Sequence, residues 1–451
     1  MAIEINKNLF RKIEHLVELQ SDAAILSLLG NEHHADIAEI LDELNLDDAT
    51  YIIKLLDSDL TAEILMDLDE DTRERVLKNL SAKEIAEEID ELDTDDAADI
   101  IGELSEERQE KVISEIEDDE HKADIQELLT YDEDSAGGLM AKELVMVNEN
   151  WTLTRCVKEM RAQAEEVTRV HSIYVVNDQE QLIGRLSLKD LLIAPPKGNI
   201  SKIYIPKVDS VNVNEDTEEV AKIMQKYDLE AIPVVDDNMV LLGRITIDDI
   251  VDVMKEEAEE DYLLAAGVSQ DVEADDSIFE LTKARLPWLV LGLFGGLGAV
   301  FIMEGYEDIM ADDRYRQLFF FTPLIAAMAG NVGVQSSAII VQGLANDIVK
   351  GSLFHRLLKE VGLSLINGLI LGLLVILFGF VTQMDIMFSL TIAISMLSVI
   401  IVAALIGTFV PIVLDKRGID PAIATGPFIT TSNDIFGIFL FFYIAKIMLG
   451  F

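Results

Sequence analysis

Cysteine occurs once in the 451 residues, at Cys156. No intrachain disulfide and no cysteine-based metal site can therefore form, and a reducing compartment suits the front of the chain. Proline is missing from residues 1–130, where its ring would interrupt helices. No His-Glu-x-x-His pattern occurs among the six histidines, which removes zinc proteolysis. Basic side chains are scarce: 35 Lys and Arg against 83 Asp and Glu give a formal net charge of −48. So acidic a chain repels nucleic acid and anionic lipid, and favours polycations or divalent metals as partners. The N-terminal stretch through Leu16 has no apolar core of signal-peptide length, so the front is expected in the cytosol.

The charge is unevenly placed. Residues 287–451 hold 11 acidic and 8 basic side chains, leaving 72 and 27 on residues 1–286, a balance of −3 against −45. The first 130 residues read as all-α, with apolar residues at three- and four-residue intervals. Ala38-Glu39-Ile40-Leu41 recurs as Ala62-Glu63-Ile64-Leu65 and, degenerately, from Ala86, a spacing of 24 residues. Each copy is followed by an acidic turn, Asp47-Asp48, Asp69-Glu70-Asp71, then Asp93 with Asp95-Asp96, with Asp or Thr where helix N-caps belong. A repeat of this length cannot bury its apolar face alone, so the copies are expected to stack as a superhelix.

Residues 131–250 change texture. The stretch Ile173-Tyr-Val-Val through Gly184-Arg-Leu-Ser187-Leu-Lys-Asp190 reappears 59 residues later as Ile232-Pro-Val-Val through Gly243-Arg-Ile-Thr246-Ile-Asp-Asp249. Each copy reads as strand, acidic turn, strand and helix, an α/β module in tandem, at about 139–200 and 201–250. The Gly-x-x-Ser/Thr-x-x-Asp ends resemble those of paired CBS domains. By that resemblance Asp190 would hold ribose hydroxyls of an adenine nucleotide, with Lys189 and Ser187 near its phosphates. In the second copy Asp248-Asp249 would repel a phosphate tail. Residues 251–275 then form an acidic connecting segment. In it Val251, Val253, Met254, Ala258 and Leu263 alternate with Glu256, Glu257, Glu259, Glu260 and Asp261 on an amphipathic helix.

Five stretches in residues 276–451 lack charge for long enough to be read as membrane spans: 287–303, 318–346, 361–384, 386–414 and 421–445. The loop between the second and third carries Lys350, Arg356 and Lys359, and that between the fourth and fifth carries Lys416 and Arg417. The first loop is acidic through Glu304, Glu307, Asp308, Asp312 and Asp313. The excess of positive charge places the basic loops and the N-terminus in the cytosol and the C-terminus outside. Gly292-x-x-x-Gly296 and Gly368-x-x-x-Gly372 offer close helix approach.

Asp434 is the one carboxylate within these spans, and its burial in lipid costs enough that it should face a protein-lined or wet cavity. Thr430, Thr431, Ser432 and Asn433 precede it. The second span has a matching polar interruption, Gly330-Asn331-Val-Gly333-Val-Gln335. Oxygen ligands without His or Cys suit a hard cation such as Mg2+, Ca2+ or an alkali ion. One carboxylate per chain is too few to strip Mg2+ of water, so two chains meeting at this helix would hold the ion through its waters.

These pieces together, with Asp420-Pro421-Ala422 leading to Gly426-Pro427, resemble the MgtE family of magnesium channels. The resemblance covers nearly the whole chain. It implies a homodimer in the cell membrane with one pore between the subunits, lined by the second and fifth spans. Asp434 would be the selectivity carboxylate, with Thr430, Asn331 and Gly426 beside the pore. It also implies regulatory Mg2+ bridging the N-domain, the CBS pair and the connecting helix in a closed form. Matching or nearby carboxylates are Glu63, Asp95, Asp99, Glu218, Asp228, Asp249, Asp252, Glu257, Glu260 and Asp261. ATP is implied as a modulator. The expected architecture is thus an all-α superhelical N-domain, an α/β CBS pair, an acidic helix and five membrane helices, with no catalytic activity. A secondary carrier for divalent ions and a membrane-bound magnesium sensor are the alternatives. Five spans do not divide into equal inverted halves, which disfavours the carrier.

Overall fold

A computed structural model describes residues 5–450 except 165–166, 168, 196–197, 270–271, 273–275, 308–314, 347 and 350. Most of the acidic first loop, and Lys350, lie outside the described residues. The chain divides into two compact units, Met1–Met254 and Lys255–Phe451.

Helices of the front unit begin at Asp22, His34, Leu46, Ser58, Glu70, Ala82, Thr94 and Glu106, twelve residues apart. Each 24-residue repeat is therefore two short helices. The caps are mixed. Asn45 and Ser81 cap through their side chains, with Glu84 completing a capping box at Ser81. Asp57, Asp69 and Asp93 occupy the N-cap position without a side-chain bond. The apolar positions of the repeat, Ile40, Leu41, Ile64, Leu65, Ile85 and Ile89, are buried in one continuous core.

Two arginines hold successive turns of the superhelix together. Arg73 donates Nε to Glu103 Oε1 at 2.7 Å and Nη1 to the Met66 carbonyl at 3.2 Å. Arg108 donates Nη2 to the carbonyls of Leu77 and Leu80 at 2.8 and 2.9 Å. Both satisfy carbonyls that helix ends leave without partners.

The tandem α/β region forms two three-stranded sheets. In the first, β1 (Val145–Asn148) runs parallel to β2 (Ile173–Val176), which is antiparallel to β3 (Leu182–Leu186). The second repeats this with β4 (Val211–Asn212), β5 (Ala231–Val235) and β6 (Leu241–Thr246). The motif glycines permit close backbone approach. A methyl group on Gly184 would lie 2.4 Å from the Ile205 carbonyl oxygen, and one on Gly243 would lie 2.6 Å from that of Ala141. Ala141 bonds Arg244 in both directions at 2.8 and 2.9 Å, and Ala136 donates to Glu215 at 2.7 Å. Residues 136–141 thus pair with the second copy, although the repeat alone assigns the chain from residue 139 to the first.

The helix Ile247–Ala266 runs unbroken from the second motif through the acidic segment. The helix passes residue 250 without interruption, because nothing in this stretch caps or breaks it. Among the described residues, five helices of the second unit are long and apolar enough to cross a membrane, and the first and third begin well before the uncharged runs. The first, Ile278–Glu304, continues through Pro287 from a capping box at Ser277. The third, Leu353–Val381, includes Lys359 and Glu360, and Ser336 of the second helix donates to Glu360 Oε1 at 2.6 Å. The fourth helix, Ile386–Asp415, carries the longest series of buried side chains and packs on the second, third and fifth. Gly368 and Gly372 meet Leu397 and Ala393 on it. Gly292 and Gly296 have nothing within 4 Å; their neighbours Gly295 and Gly298 face Thr431 and Ile435 instead, so the helix presents a different side.

Replacing Arg73 by Met is expected to destabilise the helical domain by on the order of 3 kcal/mol, because the half-buried Glu103 loses its cation. Thermal unfolding of the full chain, compared with Arg75→Met on the exposed face, measures this.

Candidate functional site

Two groups of residues matter, one in each unit. In the front unit the helix Thr94–Gly102 lies against the second α/β copy. Its acidic first turn brings Asp95 and Asp96 to Asp249. One carboxylate oxygen from each of Asp93, Asp95 and Glu143 falls within 4.8 Å of the others. Glu143 accepts from the Thr94 amide at 3.2 Å and its hydroxyl at 2.9 Å. Arg244, buried, donates Nη2 to Asp93 at 3.1 Å and Nε to the Glu143 carbonyl. Asp249 is held by the Thr246 amide and hydroxyl, each at 2.8 Å.

Burial and mutual repulsion leave Asp93, Asp95, Asp96 and Asp249 reluctant to ionise. Burial lifts Asp95 well above the ordinary range, with Asp96, Asp249 and Asp93 adding to the rise. Asp96 is pushed up to about 7 by burial and then by Asp249 and Asp99. Asp99 also rises to about 7, through burial first and despite Arg73, with Glu133 and Glu103 adding to the rise, although solvent still reaches one side of it. Asp249 rises by burial, partly offset by its bonds from Thr246. An oxygen-only donor set of this density suits a hard divalent cation, which would substitute for the missing counter-charge.

The other candidate ligands are dispersed. Glu63 pairs with His34 Nε2 at 3.0 Å, and His34 Nδ1 bonds Asp67. Glu218 pairs with Lys222 at 2.9 Å. Asp228 is an exposed helix C-cap with φ of 50°. Asp252, Glu257, Glu260 and Asp261 lie exposed along the connecting helix. The structure therefore brings together Asp95, Asp99 and Asp249 and leaves the remainder apart. Asp93, Asp96, Glu143 and Arg244 join them without having been singled out in the sequence. The repeated Gly-Arg offered a signal for Arg244, but only the second copy faces the helical domain; its counterpart Arg185 is exposed.

The two nucleotide motifs differ. Thr246 closes onto Asp249, whereas Ser187 caps the helix Leu188–Ile193 without a side-chain bond. Asp190 is half-buried, and Lys189 is exposed. Leu188 and Leu191 of that helix line an apolar groove of about 850 Å³ with Leu153, Val157, Lys158 and Arg161.

In the second unit the fifth helix, Gly426–Leu449, follows a turn at Pro421–Ala424. A methyl group on Gly330 of the second helix would lie 3.1 Å from Thr430 Cγ2 and 3.7 Å from Asp434 Oδ1. Thr430 donates its hydroxyl to the Gly426 carbonyl at 2.9 Å, and Asp434 is half-buried. Asn331, next along the second helix, is exposed. Gly426 has φ of +46°, and a methyl group there would lie 2.3 Å from the Ala265 carbonyl oxygen. Gly267, with φ of +82°, is packed as closely on Pro427. The end of the connecting helix thus seats on the first turn of the fifth.

Helical domain, CBS pair and five apolar helices define a multidomain membrane protein. The comparisons identify it further. Residues 322–444 match the family described as divalent cation transporter, 32–134 the MgtE intracellular N domain, and 136–197 and 200–256 the CBS domain. The chain is 37% identical over 327 residues to a protein of Enterococcus faecalis named magnesium transporter MgtE, covering 72% of each. It is 35% identical over 322 residues to one so named from Bacillus subtilis, covering 71% of each. A solved cytosolic domain of the Mg2+ channel MgtE in complex with ATP superposes with a TM-score of 0.51 at 32% identity, covering 54% of this chain and 99% of that one. The chain belongs to the MgtE family.

Asp96 and Asp99 hold protons more tightly folded than unfolded. Their contribution to the compact junction is therefore full below the ordinary value of 3.8 and is lost as pH rises through about 7. Without divalent cation, the front unit of the full chain should resist protease better at about pH 5.5 than at about pH 8. Adding Mg2+ should remove that difference, as limited proteolysis at the two pH values will measure.

Proposed function

We propose that the chain is a Mg2+-selective channel for uptake across the cytoplasmic membrane, closed from the cytosolic side by Mg2+ itself. The observation carrying this is the coincidence at the fifth helix. Thr430 and Asp434 face the glycine-lined second helix, and the connecting-helix end rests on Gly426 at its first turn. The relatives' names as magnesium transporters support the cargo.

Two chains would meet along the fifth helices, so that both Asp434 carboxylates face one hydrated ion. Asn331 and Thr430 would take its water shell. Asp434 needs no catalytic partner, because the protein performs no covalent step.

In the front unit, Mg2+ would bind the carboxylates gathered around Asp95 and Asp249. Two such groups about 4 Å apart repel by roughly 4 kcal/mol at an effective dielectric of 20. Cation binding cancels that repulsion and shifts the population toward the compact, closed form. Low cytosolic Mg2+ returns the repulsion and releases the connecting helix. The dispersed carboxylates Glu63, Glu218, Asp228, Asp252, Glu257, Glu260 and Asp261 would add weaker bridges. ATP would bind the first CBS copy, where Ser187 and Asp190 remain open, and tune the Mg2+ requirement. The ATP complex of the cytosolic domain of an MgtE channel supports this. The orientation has both basic loops and the N-terminus in the cytosol.

Asp434→Asn keeps the shape and removes the charge. A unit charge facing a divalent ion across one water layer, ~6 Å, is worth about 1.4 kcal/mol even in the dielectric of water. Mg2+ flux into proteoliposomes should fall at least about tenfold. Wild-type flux in that variant would remove Asp434 from the pore.

A further inference from the structure

We propose that Asn433 works against the conformation seen here, and so sets how much cytosolic Mg2+ is needed to seat the connecting helix on the fifth. This rests on the reading of the gate above. Asn433 is 1% exposed, and neither its amide nitrogen nor its amide oxygen has a hydrogen-bond partner among the described residues. Three helices close around it. A methyl group on Gly333 of the second helix would lie 1.8 Å from Asn433 Nδ2 and 2.7 Å from Ile429 Cγ2. The carbonyl of Gly333 is in turn pressed on Gly407 of the fourth helix, where a methyl group would lie 2.4 Å away.

An orphan amide is expensive where water is excluded. Asn433 and Asp434 are consecutive on one helix and so point about 100° apart. A roll of the fifth helix that re-aims Asp434 also lifts Asn433 off Gly333 and gives its amide access to pore water. The penalty then applies only in the seated form. It disfavours that form by roughly fivefold to a hundredfold, a bias that Mg2+ bound to the front unit must overcome. Glycine at 333 fits the same role, because any side chain there would displace the amide.

The test uses full-length protein in proteoliposomes with Mg2+ titrated on the cytosolic face. Asn433→Leu keeps the shape without the polar atoms. Asn433→Ser is smaller, and its hydroxyl can bond the Ile429 carbonyl in its own helix. Both should lower the Mg2+ concentration that halves flux by roughly fivefold or more. The Mg2+ concentration that half-protects the helix Ile247–Ala266 from protease should fall in parallel. A structural asparagine would instead give variants with an unchanged or higher Mg2+ requirement, and that result overturns the proposal. A wild-type chain whose flux and proteolysis ignore Mg2+ overturns the gate reading and this inference with it. A wild-type response that both variants leave in place overturns this inference alone.

Discussion

Repulsion among carboxylates held in one junction is the constraint on which the rest depends. Asp93, Asp95, Asp96, Asp99, Glu143 and Asp249 converge where the helix Thr94–Gly102 meets the second CBS copy. Arg244 supplies a buried cation beside Asp93, and Arg73 lies near Asp99. Fully ionised, the group resists compaction; protonation relieves the repulsion, and in the proposed gate bound metal would do the same. On the proposed reading, such a junction would respond to the free concentration of a small cation without needing a pocket shaped for one.

In the proposed gate the connecting helix is the lever of this junction. It begins directly after Thr246, whose hydroxyl and amide hold Asp249, and continues to Ala266, about 30 Å at the rise of an α-helix. Its far end rests against Gly426, where the positive φ and the absent side chain allow the Ala265 carbonyl to approach. One continuous helix therefore begins beside the acidic cluster at Asp249 and ends against the first turn of the Asp434 helix. In the proposed gate Asn433, buried with no hydrogen-bond partner among the described residues, would supply the opposing tendency.

Local patterns revealed much of this. The 24-residue repeat implied stacked helices, and the helix starts twelve residues apart follow from it. The 59-residue offset implied twin sheets, and β2–β3 and β5–β6 repeat one another strand for strand. Asp434 stood out because charge in an apolar run is costly. The remainder depends on which side of an element meets its neighbour. Gly292 and Gly296 carry the familiar spacing, yet Gly295 makes the contact, since helix phase is decided by the partner. Glu360 stood just outside an uncharged run, and only the packed helices bring it to Ser336. Asn433 and Asp434 are adjacent polar residues in sequence; the burial of one and the partial exposure of the other follow from Gly333 and Gly330 being three residues apart on the second helix. Arg185 and Arg244 are equivalent in the repeat and opposite in burial.

The central claim is that a pore built on Asp434 is governed by a separate acidic regulator. Mg2+ flux into proteoliposomes, comparing the full chain with one beginning at Ser277, tests it directly. The account predicts that flux persists in the shortened chain and no longer falls as Mg2+ is raised on the cytosolic face. Inhibition retained without residues 1–276, or flux lost with them while the membrane helices remain folded, would contradict it.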